Sequence, residues 1–157
     1  MTKDQASDCG PDARRRALGL LARATVDELA GPLARFWPDV TPRELRPADT
    51  GLVMLRGRAG GDGAPFNLGE ATVSRAVVEL PTGERGFGHL LGRDVEQARR
   101  IAALDALWQR DGDCALLEAH VLGPIAKRLT AAIAKHAAET AATRVEFFTL
   151  VRGEDAA

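Results

Sequence analysis

The sequence predicts an α+β fold: N-terminal helices, an antiparallel β-meander, C-terminal helices and a final extended strand. Two observations support this prediction. Apolar residues recur at helical spacing on both sides of the chain's middle, in 13–24 and in 95–108. Between them, the runs 51–58, 71–80 and 85–91 alternate like strands and are separated by residues that favour turns.

The 157 residues are most simply one domain. We expect a disordered lead at 1–11, a single α+β domain at 12–153 and a tail at 154–157. The polar N-terminus lacks the apolar core of a secretory signal, and no apolar run reaches the ~20 residues that span a bilayer. Cys9 and Cys114 lack metal-ligand spacing, which favours two free thiols in a reducing compartment. We therefore expect a cytoplasmic protein.

Composition argues against nucleic acid and membranes as partners. The formal net charge is −1 and aromatic residues make up 4% of the chain, so neither a basic field nor a stacking platform is available. The arginine run Arg14–Arg16 is therefore expected on a solvated helix face or at a protein contact.

Capping residues mark two predicted helix starts. Thr25 and Glu28 have the spacing of a capping box, which opens a helix running towards Phe36. Asp94 and Gln97 repeat the pattern before the helix that carries Asp105 on an apolar stripe. A buried carboxylate is costly without a partner, so we expect one for Asp105, either an arginine within the domain or one across an interface. Gly123-Pro124 is expected to interrupt the chain and open the last helix.

Turn residues set the predicted meander. Asp49-Thr50-Gly51 is expected to form a turn after a short strand near 43–46, and 81–84 to form a hairpin loop. A four-residue loop there places Val78 opposite Phe87 and Ala76 opposite His89.

The stretch from Arg56 to Glu70 holds five glycines and lies between two strand-like runs. A phosphate-binding loop needs a lysine and a following helix, and a dinucleotide fingerprint needs a βαβ unit; both are absent. Three interpretations stay open: a wide hairpin loop with structural glycines, a partner contact through Arg56 and Arg58, or a small-anion site.

No catalytic constellation emerges from the residue pattern. His89 is expected to be packed or at an interface, with Ser74 as the candidate nucleophile if His89 acts as a base. His120 and His136 lack matching ligands, and no cluster has zinc-like spacing, so no metal site is expected.

The segment 144–152 is rich in aromatic and β-branched residues. Phe147 and Phe148 are adjacent, so in an extended chain they point to opposite sides. Either one phenylalanine contacts a partner, flanked by Arg144 and Arg152, or the segment is a central strand buried on both faces.

Taken together, several short motifs resemble the PhnG family, the small G component of the bacterial phosphonate carbon–phosphorus lyase core complex. They occur in family order over nearly the whole chain after residue 12, and they are Thr50–Met54, Arg56–Gly63, Gly69–Val78, Gly86–His89 with Gly92–Asp94, Ile101–Leu107 and Arg144–Gly153.

The resemblance implies a role that the residues alone do not supply. Members act in a complex with the H, I and J subunits. With the H and I subunits and the ATPase-like L subunit, they are implicated in replacing the adenine of ATP by a phosphonate such as methylphosphonate. The I subunit resembles the catalytic partner in that step, and the J subunit uses an iron–sulfur cluster and S-adenosylmethionine in a later one. No cofactor is implied for members of the PhnG family.

We therefore predict an accessory subunit in phosphonate catabolism without an active site or metal of its own, docking on the I subunit. The predicted partner-binding residues are Arg56, Arg58, Gly60, Gly61, Arg93, Arg144, Phe147, Phe148 and Arg152. The alternative is a self-sufficient nucleotide- or phosphonate-binding domain that uses Arg56, Arg58 and the glycine-rich loop. A homodimer of the isolated chain, paired through an exposed sheet face, is a third possibility.

Overall fold

The computed structural model describes residues 10–110 and 112–143. These residues fall into two compact units, one ending at Ala126 and the other beginning at Lys127. The single domain expected over 12–153 stays a prediction. The lead before Gly10 and the expected final strand at 144–152 lie outside the described residues.

Two helices open the first unit, and their ends follow local sequence signals. α1 spans Pro11–Leu21 and α2 spans Val26–Phe36. The predicted capping box is confirmed: the Thr25 N–H donates to Glu28 Oε2 at 2.8 Å, and the Glu28 N–H donates to Thr25 Oγ1 at 3.4 Å.

A three-stranded antiparallel sheet follows, in the order β1-β2-β3, which confirms the predicted α+β class. β1 spans Arg43–Arg58, β2 spans Pro65–Glu79 and β3 spans Arg85–Leu91. β3 pairs with β2 only from Val73 to Glu79, so the remaining half of the β1–β2 hairpin has two strands.

The predicted turn at Asp49–Gly51 is wrong, because β1 continues through these residues. Asp49 lies opposite Arg75 and accepts a hydrogen bond from its guanidinium. The pairing with β2 shifts register between Arg46 and Asp49, so the strand continues past this irregularity. The glycine-rich loop is also shorter than expected. Residues 59–64 form it, and Pro65 already begins β2.

The predicted register of β2 with β3 is wrong by one residue. Val77 lies opposite Phe87, and Arg75 lies opposite His89. The loop is longer than four residues because the Leu80 N–H donates to Glu84 O at 2.9 Å and closes a wider turn. This shift places Phe87 and His89 on the face that carries Arg75 and Val77.

The helix α3, Val95–Trp108, covers one face of the sheet. It approaches so closely that a Cβ on Gly86 would lie 1.8 Å from Ala102 O, and one on Gly88 would lie 1.9 Å from Ala98 O. The Asp94 cap is confirmed, since its carboxylate accepts from the Gln97 N–H at 2.8 Å. Gln97 does not complete a box, because its amide donates to Ala24 O and Thr25 O.

The expected interruption at Gly123-Pro124 is wrong. α4, Asp113–Leu117, continues through a π-helical turn, Glu118–Leu122, into α5, Gly123–Ala142. The wider turn lets the Gly123 N–H donate to Glu118 O just before Pro124, which has no N–H to donate. Because the unit boundary falls after Ala126, α5 extends from the first unit into the second.

The predicted free thiol at Cys114 is also wrong, because Cys114 is disulfide-bonded; Cys9 lies outside the described residues. Among the helices of the described part of the chain, none is both long and apolar enough to cross a membrane.

Candidate partner-binding surface

The two-stranded part of the β1–β2 hairpin forms a projecting arm. We define the arm as Leu52–Arg58 of β1, the loop 59–64 and Pro65–Thr72 of β2, the part beyond the pairing with β3. Six apolar side chains of the arm are at least 39% exposed: Leu52, Val53, Met54, Leu55, Phe66 and Leu68. A hairpin of two strands is marginally stable in water by itself, so these side chains do not form a core of their own.

The apolar side chains occupy both faces of the arm. Leu52 and Met54 alternate with Val53 and Leu55 along β1, so each pair points to a different face. Phe66 and Leu68 flank Gly57, whose missing side chain leaves the Phe66 ring and the Leu68 Cβ 3.9 Å from the place a Cβ would take. Sequence reasoning missed Phe66 and Leu68 by assigning them to the loop, although their apolar-polar-apolar spacing around Asn67 was a usable strand signal.

Arg58 holds the loop at the tip of the arm. Its Nη1 donates to Gly63 O at 2.9 Å, and the Gly63 N–H donates to Ala59 O at 3.1 Å. Gly60 and Gly61 have φ values of +66° and +90°, which residues with a side chain rarely adopt. The tip therefore has a defined backbone path that depends on its glycines and on one arginine.

Arg56 is the free cation of the tip. It is exposed, and the described residues offer it no ion-pair partner. Arg56, Arg58, Gly57, Gly61 and Pro65 line an open cavity of about 550 Å³. Such a site fits a carboxylate of a partner protein or a small anion.

The structure gathers only some of the predicted partner-binding residues. Arg56, Arg58, Gly60 and Gly61 meet at the tip. Arg93 lies at the other end of the arm, because the preceding Gly92 donates its N–H to Thr72 O at 2.9 Å. The remaining four, Arg144, Phe147, Phe148 and Arg152, lie outside the described residues.

Asp49, which lies in β1 just before the arm, is engaged in ion pairs. Arg75 holds Asp49 in a two-point contact, with Nε 2.9 Å from Oδ1 and Nη2 3.0 Å from Oδ2. Arg46 adds a third bond to Oδ2 at 2.9 Å. The hydrogen bond from Arg75 lowers the pKa of Asp49 below its ordinary value of 3.8. This carboxylate is thus held ionised and is not poised to act as a general acid.

The candidate pair of Ser74 and His89 is separated by the sheet. Ser74 is buried on the face that α3 covers, where its Oγ donates to Gly92 O at 2.9 Å. His89 is exposed on the opposite face. Within the described ranges, no group of three His, Cys, Asp or Glu residues is placed to hold a metal ion.

A second cavity of about 780 Å³ lies between α1 and β3. Its walls combine apolar and basic groups, and its lining residues are Gly10, Pro11, Arg14, Arg15, Leu18, Phe87, His89, Trp108 and Gln109. Arg14 is already committed to Asp105, and its guanidinium stands 5.9 Å above the Phe87 ring. This cavity can receive an apolar side chain of another molecule.

Comparison with known proteins identifies a family that this chain resembles. A family model described as phosphonate metabolism protein PhnG matches residues 12–153. A curated relative from Rhizobium meliloti (strain 1021), named alpha-D-ribose 1-methylphosphonate 5-triphosphate synthase subunit PhnG, is 53% identical over 150 residues. The matched region covers 94% of this chain and 94% of the relative.

Proposed function

The chain belongs to the PhnG family of phosphonate metabolism proteins, and on that premise we propose that it is an accessory subunit of the carbon–phosphorus lyase complex. In this role it supports transfer of ribose triphosphate from ATP to a phosphonate such as methylphosphonate, with release of adenine. The name of the relative gives the product of the synthase to which that subunit belongs. The chain contributes by docking on the catalytic subunit, without an active site of its own.

The exposed apolar arm is the observation that supports docking. Leu68 is 65% exposed and Leu52 is 60% exposed, so most of each side chain meets water. Clustered apolar side chains on a soluble protein mark a surface for another molecule. A partner that covers the arm removes these side chains from water and stabilises the two-stranded hairpin at the same time.

The tip adds a positively charged group to this surface, and the second cavity adds a recess. Arg56 offers a guanidinium that no described residue pairs, which suits a partner carboxylate, while the cavity beside Phe87 suits an apolar side chain. We assign the surface to the complex of the H, I and J subunits, with the I subunit as the direct contact. Arg93 and the segment 144–152 belong to the same proposal.

Co-expression with the H, I and J subunits of the same organism tests the proposal. The wild-type chain is expected to co-purify with them, whereas a Phe66→Asp/Leu68→Asp chain is expected to be lost from the complex. Val26→Asp is the matched control, since Val26 is 45% exposed on α2 and lies outside the arm. Full assembly and product formation without this chain would overturn the proposal.

The rival function is a self-sufficient nucleotide- or phosphonate-binding domain, favoured by the cavity at Arg56 and Arg58. Calorimetry of the isolated chain with ATP or methylphosphonate separates the two. An accessory subunit is expected to release no binding heat with either compound. Binding heat that disappears in Arg58→Ala would instead establish the rival.

A further inference from the structure

The two edges of the sheet differ in how their backbone groups are satisfied. At the β3 edge, Asp105 Oδ2 accepts from the Phe87 N–H at 2.9 Å, and the Gln109 amide donates to Arg85 O at 2.7 Å. At the other edge, β1 pairs with no strand besides β2 in the part of the chain that the structure describes. An exposed edge strand of this length is a template for another strand.

The pairing pattern shows which groups β1 presents. Thr72 O accepts from the Gly92 N–H, so the backbone groups of Thr72 point towards β3. Leu52 lies directly opposite Thr72, and its own N–H and C=O therefore point away from β2. Because alternate residues of a strand share this direction, Thr50 and Met54 also present both groups at the open edge.

The unpaired edge of β1 can pair symmetrically with a second copy about Leu52. Register shifts lie between Arg46 and Asp49 and between Leu55 and Arg56, so Asp49–Leu55 is a run without a shift, with Leu52 at its centre. A two-fold axis through Leu52 and perpendicular to the sheet places Thr50 opposite Met54 of a second copy. Three hydrogen-bonded pairs then exchange about six backbone bonds.

Side chains along this run suit a second copy. The four residues Leu52–Leu55 are apolar and 39–60% exposed, and the pairing sets Leu52 beside Leu52 of the second copy and Met54 beside its Thr50. The one charged residue of the run, Asp49, falls opposite Leu55 of the second copy and is already neutralised by Arg75 and Arg46. No like charges meet within the run.

We propose that two copies of the chain pair through their β1 edges, antiparallel, with Leu52 on the axis, and form one continuous sheet. The proposal does not rest on the accessory-subunit function. The two other occupants of this edge, a strand of a different subunit and the chain's own segment 144–152, are outcomes of the tests below.

Cysteine cross-linking tests the position of the axis on the full-length chain. Leu52→Cys places its thiol beside the same thiol of the second copy, at the Cα spacing of about 5.5 Å that a disulfide spans. Leu55→Cys is the matched control, because its copies are roughly 20 Å apart. We expect a covalent dimer for Leu52→Cys, and only the wild-type background from the native cysteines for Leu55→Cys. Equal yields, or no dimer from Leu52→Cys, would overturn the proposal.

Sedimentation velocity over a concentration series tests the backbone pairing. Met54→Pro removes an outward N–H and leaves the β1–β2 bonds in place, so we expect the dimer dissociation constant to rise roughly tenfold or more. Met54→Ala keeps the N–H and is the control for lost side-chain contact, and circular dichroism checks that each variant is folded. A dimer equally tight in Met54→Pro and Met54→Ala contradicts the proposal.

Two further chains keep the test decisive if Met54→Pro fails to fold. Leu52→Lys puts two ammonium groups at the axis, and we expect dissociation that added salt partly reverses. A chain ending at Thr143 is expected to dimerise like the full-length chain. A wild-type chain that stays monomeric at every concentration would overturn the proposal: a dimer that forms only after truncation would assign the edge to segment 144–152, and a monomer in both chains would assign it to a different subunit. A dimer that is lost on truncation would place the contact in segment 144–152 and would also overturn it.

Discussion

Arg14 and Asp105 join α1 to α3 through two parallel hydrogen bonds, with Nε 2.9 Å from Oδ1 and Nη2 2.7 Å from Oδ2. The Asp105 side chain is 1% exposed, and its Oδ2 also accepts from the Phe87 N–H. One buried carboxylate thus fastens a helix and closes the β3 edge. The hydrogen bond to Asp105 raises the pKa of Arg14, so the guanidinium stays charged. The arginine expected from sequence as the partner of Asp105 is Arg14.

Removing the charge of Arg14 is expected to lower the free energy of unfolding more than removing the charge of Asp105. Arg14→Met leaves a buried carboxylate without its cation and should lower the free energy of unfolding by about 3 kcal/mol. Asp105→Asn keeps an acceptor for Phe87 and leaves an arginine that reaches water, so about 1 kcal/mol is expected. Urea denaturation at neutral pH measures both values. A larger loss in Asp105→Asn would contradict this description of the pair.

Gly88→Ala should be strongly destabilising. The new Cβ would lie 1.9 Å from Ala98 O, and this backbone atom can move only if α3 moves. We expect a loss of about 3 kcal/mol, or no folded protein. Gly31→Ala is the matched control, since nothing lies within 4 Å of its Cβ position on α2 and alanine favours a helix by about 1 kcal/mol. Similar melting temperatures for both variants would show that the contact between α3 and the sheet is looser.

Acid should weaken the fold partly through Asp49. Its pKa is lowered in the folded state by the hydrogen bond from Arg75, so its contribution is present above the ordinary value of 3.8 and is lost as pH falls through the lowered value. Asp49→Asn should therefore be less stable than wild type at neutral pH, and the difference should shrink as the pH falls below 3.8 and through the lowered pKa of Asp49. Denaturation at several pH values measures the difference, with exposed Glu70→Gln as the control. A difference that stays constant with pH would contradict this linkage.

Local signals in the sequence were enough to predict the starts of α2 and α3 and the fold class. The Thr25 capping box and the Asp94 cap depend on residues three positions apart, so the sequence contains both partners. The alternation of 71–80 and 85–91 depends equally on neighbours, and it predicted two of the strands.

Features set by distant residues were not predictable in the same way. Asp49, Thr50 and Gly51 are residue types that favour turns. Here the Arg75 side chain donates to Asp49 and packs against Gly51, so the segment stays in β1. One extra loop residue before β3 moved Phe87 from the face of Val78 to that of Val77. The arginines and glycines of the tip were recognised from sequence, whereas the exposed apolar arm beneath them required the register of the strands.

Titrating the reconstituted synthase with this chain tests docking most directly. The rate of ribose triphosphate transfer to methylphosphonate is measured as the wild-type or the Phe66→Asp/Leu68→Asp chain is added to the other subunits. A docking role predicts that the variant needs roughly tenfold or more protein for half-maximal rate, and reaches the wild-type rate at saturation. A fully assembled variant complex with a lower saturating rate would contradict it, because the arm would then take part in the reaction itself.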